Sequence, residues 1–195
     1  MWSLLMNALT KDNALKWLDR LADKTGIRII PDRLPHPGGD DVTTLDVPGY
    51  RQIDSFSCGA AAALMAVRTF RPGFPAGDFH ELANPVNGIQ IEPLVRFLGK
   101  AGIGVEERYD LDFADIAEKI EAGFPVVTLV NLKADLQHWV VIYGVGRKPN
   151  RVFVGGMNLP IIGRKEYTWR EFTRMWRKGF GLVCWGKPES RGRRR

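Results

Sequence analysis

Gln52-Ile53-Asp54-Ser55-Phe56-Ser57-Cys58-Gly59 runs directly into an alanine-rich stretch, Ala60-Ala61-Ala62-Ala63-Leu64-Met65-Ala66-Val67. Its texture predicts a strand start over residues 49–53, a polar turn over 54–57, and a helix over 58–70. Arg71-Pro72-Gly73 breaks that helix. A cysteine at a helix N-terminus meets the positive end of the helix dipole and backbone N–H groups that have no intrahelical acceptor. Both favour the thiolate, the reactive form of a side chain that is ordinarily protonated at neutral pH. Cys58 taken alone also fits a buried core thiol, because free cysteine is often buried. Gln52 shifts the balance. Six residues before Cys58 and across a turn, its side-chain amide is placed to join the Cys58 backbone N–H in holding the oxyanion of a tetrahedral intermediate.

A cysteine nucleophile needs a base, and the chain has three histidines. His138 opens the β-prone run His138-Trp139-Val140-Val141-Ile142-Tyr143-Gly144, so its ring is expected at the edge of a sheet. It is the natural general base beside a helix-capping cysteine. His36 falls in a Pro-Gly loop and His80 in a Pro-interrupted helical stretch, and both compete poorly. A third group should hold the imidazole in one tautomer. Asn158 follows the next strand, Val152-Phe153-Val154, in the turn Gly155-Gly156-Met157-Asn158, and a hairpin would carry it to the neighbouring strand end. Asp135, three residues before His138, is the alternative, and a turn asparagine with no catalytic role is a third reading of Asn158.

Around these residues, helices are expected at 91–101 and 113–122, the latter stopped by Gly123. Strands are expected at 125–130, 138–144, 151–155 and 182–185, with a last helix at 169–178. Helices first and strands later, without βαβ alternation, indicate an α+β fold with an antiparallel sheet. Residues 1–43 differ in texture. A short helix carrying Leu15, Leu18 and Leu21, a strand near residues 27–30 and a Pro/Gly-rich linker read as an accessory extension, either packed on the domain or regulatory. Residues 44–187 form the domain. The last segment, 188–195, holds four of the arginines behind the formal charge of +6. It reads as a flexible, solvated tail in preference to a nucleic-acid or anionic-surface contact.

Composition excludes other classes. At 45% hydrophobic and 26% charged, the 195 residues suit one globular domain with a real core. No apolar run reaches membrane-spanning length, and no secretory signal is recognisable, which points to a cytoplasmic protein. Two cysteines and scattered histidines build neither a disulfide framework nor a structural metal site, so no cofactor is expected. Gly144-Val145-Gly146 is only a fragment of a dinucleotide fingerprint, and no phosphate-binding loop or Gly-x-Ser-x-Gly elbow occurs.

The order Gln52, Cys58-Gly59, helix, His138-Trp139-Val140-Val141-Ile142, strand and turn resembles the papain-like cysteine peptidases. It is most similar to the bacteriocin-processing (double-glycine leader) peptidases and their stand-alone relatives, over residues 44–187, including Thr168-Trp169-Arg170-Glu171-Phe172 and Trp176. The resemblance implies a papain-like fold, Cys58 as nucleophile, His138 as base, Gln52 as oxyanion donor and a peptide or protein substrate cleaved through an acyl-enzyme. The family's third residue is usually an aspartate before proline. Here that place is read as Asn158, with Pro160 one residue late. No transporter membrane domain or ATPase is expected to follow, so specificity for double-glycine leaders is not carried over. A cysteine acyltransferase or deamidase with the same residues, and an inactive papain-like binding module, are the alternative functions.

Overall fold

The structure is a computed structural model that describes residues 29–32, 34–52, 56–75, 82, 88–133, 136–156 and 165–186. The expected N-terminal helix, the tail 188–195, His80, Asp135 and Asn158 lie outside the described residues.

Among the described residues, nine strands and four helices follow in the order β1 (Ile29–Asp32), β2 (Val42–Thr44), β3 (Gly49–Gln52), α1 (Cys58–Phe70), α2 (Ile91–Lys100), β4 (Gly104–Arg108), α3 (Phe113–Glu121), β5 (Val126–Lys133), β6 (Leu136–Arg147), β7 (Asn150–Gly155), β8 (Glu166–Thr168), α4 (Trp169–Met175) and β9 (Gly181–Trp185). The main sheet is antiparallel, ordered β4-β9-β5-β6-β7-β8, and β2 also pairs with β6. This is the expected α+β architecture. Strand β6 is its spine. Its twelve residues pair with β5 at one end and β2 at the other, while β7 runs along the opposite edge.

Both faces of the sheet are covered. Trp139, Val141, Tyr143 and Phe153 join the core formed by α1 and α2, whereas Val140, Ile142, Val145 and Val152 join that of α3 and α4. A register shift between Ile142 and Gly144 inserts Tyr143 as an extra residue, so the inward alternation changes phase midway along β6. Nearly every residue of α1 is buried, which explains its alanines: small side chains let a helix pack closely on several sides at once. Helices α3 and α4 each begin with a reciprocal capping box, Asp112/Asp115 and Thr168/Glu171.

The segment before residue 44 contributes to this body. β1 pairs antiparallel with β3, Ile29 opposite Gln52. Leu34 is part of the α1 core, and the Pro35 carbonyl accepts a hydrogen bond from the Tyr143 hydroxyl at 2.8 Å. The sequence had hidden three short strands, β2, β4 and β8, which lack a strong two-residue alternation. The last helix also ends sooner than expected, at Met175, because Trp176 turns to bridge Val130 and sends its indole N–H to Thr128 and Phe180. Among the described residues, no helix is long and apolar enough to cross a membrane.

Candidate active site

Cys58 is the first residue of α1, as the sequence indicated. Ser57 occupies the N-cap without a side-chain capping bond, and no acidic residue lies in the first turn of α1 to offset the positive end of the helix. Cys58 is 9% exposed. The other cysteine, Cys184, is fully enclosed in β9, where burial pushes its thiol up to about 12.

The residue after Cys58 has to be small. A Cβ on Gly59 would stand 2.8 Å from Ile89 Cβ and 3.1 Å from Trp139 Cδ1. Trp139 is tied to the same loop by its indole N–H, which donates to the Ile89 carbonyl at 2.8 Å. The start of β6 therefore seats directly on the first turn of α1. Cys58 and His138 are each one residue from that contact. Gly59→Ala should lower stability by up to about 2 kcal/mol, the balance of an overpacking cost of roughly 1–3 kcal/mol and a helix-propensity gain of about 1 kcal/mol. A denaturant midpoint at or above that of the parent would contradict it.

His138 is the third residue of β6, opposite Val130, not its first. It lies two residues inside the strand and only 3% exposed, not at the open edge expected. Its Nε2 is 2.7 Å from the Gly156 carbonyl oxygen. A carbonyl only accepts, so Nε2 carries the proton and the neutral ring keeps its lone pair on Nδ1. Burial holds the imidazole below its ordinary value of 6.5, only partly offset by the Gly156 hydrogen bond. At neutral pH it is an uncharged base.

Gln52 ends β3, which packs along α1, and five residues join it to Cys58. It is 5% exposed, and its Oε1 is buried without a hydrogen-bond partner among the described residues. Such a group is rare in a folded interior, where nearly every polar atom is paired. Sequence reasoning missed the Gly156 carbonyl, because a main-chain acceptor has no side-chain signature. The available signal was Gly155-Gly156 at the end of a strand. It also missed the docking of Trp139 on Gly59 and Ile89, for which β-propensity gives no hint.

A profile of the peptidase C39 family matches residues 46–189. Among solved structures, the peptidase domain of Streptococcus ComA, a bifunctional ABC transporter involved in a quorum-sensing pathway, is similar with a TM-score of 0.57 and 19% identity, covering 70% of this chain and 96% of that one. The double-glycine-motif protease of an AMS/PCAT transporter, solved with its leader peptide, gives a TM-score of 0.56 at 19% identity, covering 73% and 93%. A C39-like peptidase from Bacillus anthracis gives 0.56 at 14% identity, covering 77% and 100%. No curated protein matches the chain. These structural likenesses agree with a papain-like fold, and the profile match over most of its length shows that the chain belongs to the peptidase C39 family, whose members are cysteine peptidases.

Proposed function

We propose that this thiol hydrolase cleaves a peptide bond through an acyl-enzyme, with Cys58 as nucleophile and His138 as general base and acid. The observation that carries the reading is the seating of Trp139 on Gly59, which brings the N-terminus of α1 and the His138 end of β6 to one place. His138 Nδ1 takes the Cys58 proton as sulfur attacks the scissile carbonyl. The developing oxyanion is held by the Gln52 side-chain amide and the Cys58 backbone N–H. The imidazolium then gives its proton to the leaving amine, leaving a thioester that water hydrolyses with His138 again as base. Asn158 and Asp135, the sequence candidates for the group that orients His138, lie outside the described residues. The substrate is a peptide or protein, a reading supported by the similar protease solved in complex with a leader peptide.

Peptide cleavage in a lysate, followed by mass spectrometry with the parent protein and with Cys58→Ala, tests the reading. Products that depend on Cys58 support it; identical product sets would end it. Adding a primary amine separates hydrolysis from acyl transfer by the mass of the product.

The two thiols should also differ in reactivity. Cys58 heads α1 and keeps 9% exposure, whereas Cys184 is fully enclosed and burial pushes its thiol up. Limiting iodoacetamide should label Cys58 well before Cys184, read by peptide mapping. Equal labelling would mean that Cys58 behaves as an ordinary core thiol.

A further inference from the structure

We infer that the main-chain carbonyl of Gly156 orients His138, so that a peptide group holds the base in one tautomer. The inference rests on His138 being the base. The hydrogen bond is short, buried and unambiguous in direction: Nε2–H donates to the Gly156 oxygen over 2.7 Å. It fixes one tautomer and leaves Nδ1 as the basic nitrogen, which is the task a third catalytic residue performs.

The fold fixes the acceptor as firmly as it fixes the ring. The β6–β7 ladder runs up to Val141 opposite Gly155. The next residue, Gly156, leaves the strand with φ of +90°, a conformation L side chains rarely adopt. Its α-carbon lies against the β6 backbone, where a Cβ would be 3.5 Å from the Trp139 carbonyl and 3.7 Å from Val140 Cα. Those are the two residues that follow His138. Donor and acceptor are therefore carried on adjacent segments of one hairpin, and the acceptor, a main-chain oxygen, depends on no rotamer. That space would admit a methyl group, so the requirement for glycine lies in the backbone angle.

A carbonyl differs from a carboxylate in one respect that matters chemically. It orients the N–H but brings no negative charge to stabilise an imidazolium. Burial already disfavours the charged ring, and the carbonyl adds no counter-charge to offset that.

Long-range proton–nitrogen correlation spectra of the full chain, labelled with 15N-histidine and recorded near pH 8, read the tautomer directly. The expected result is a protonated Nε2 and an unprotonated Nδ1 for His138, with the same signature in Asn158→Ala. Gly156→Ala should shift that signature toward a mixed tautomer. It should also lower kcat roughly tenfold to a hundredfold with KM little changed, the scale of loss when a catalytic group is misplaced by about 1 Å. An Nδ1–H tautomer in the parent protein, or loss of the Nε2–H signature in Asn158→Ala, would overturn the inference. Should Gly156→Ala fail to fold, those two spectra decide alone. Neither needs turnover, so a retained Nε2–H tautomer in a protein without Cys58-dependent cleavage would count against the peptidase reading and not against the hydrogen bond.

Discussion

Cys58→Ala should remove peptidase turnover, by roughly four to six orders of magnitude, while leaving the fold intact. The two halves of that expectation have separate causes. Alanine at the head of α1 joins a run of four alanines already packed against the core, and alanine is the best helix former. The unfolding midpoint should therefore stay close to that of the parent. The loss is then chemical, because the variant has no thiol at the head of α1 to attack the carbonyl. His138→Ala should be as damaging to rate, and the double variant little worse, since nucleophile and base act as one unit. Unlike Cys58→Ala, it should also cost stability. The Gly156 carbonyl would lose its donor inside a buried site, a penalty of about 1–3 kcal/mol. Rate and denaturant midpoint measured on all three variants check both halves. Substantial turnover in Cys58→Ala would overturn the mechanism.

The parts of the fold legible in the sequence were those with strong periodicity or punctuation. The helix from Cys58 to Phe70 was marked by its alanines and by Arg71-Pro72-Gly73, and α3 by its stop at Gly123, which has φ of +89°. The β-branched runs of β5, β6 and β7 were equally visible. The short strands were not, because β2, β4 and β8 take their conformation from partners on longer strands and bury only part of their side chains. Among the candidate residues, the placing of Cys58 at the head of α1 and of Gln52 at the end of β3 was readable from the turn between them. The depth of His138 was not. β6 starts two residues earlier than its hydrophobic run, since Leu136 and Gln137 are exposed and pair only with β5. The group bonded to its imidazole was least readable of all. The acceptor described is the peptide oxygen of Gly156, which no side-chain pattern marks, while Asn158 lies outside the described residues.

Gln52 offers the sharpest separation of function from stability in this chain. Its Oε1 is buried without a partner among the described residues, a state that costs free energy in any folded protein. If the side chain is kept to present its amide to a developing oxyanion, removing its polarity should cost rate and spare the fold. Gln52→Met preserves length and approximate volume without an amide. It should lower kcat by about two to three orders of magnitude, the usual effect of losing one oxyanion donor. KM should move little, because the donor is matched to charge that develops only in the transition state. The denaturant midpoint should hold or rise, since an apolar group of similar shape replaces a buried polar group that is incompletely satisfied. Gln52→Glu should be at least as inactive, because a carboxylate has no N–H to offer and repels the oxyanion. Steady-state kinetics and denaturant unfolding on the two variants distinguish the roles. A Gln52→Met protein that keeps its kcat but loses stability would show that Gln52 holds β3 against the helix and takes no part in the chemistry.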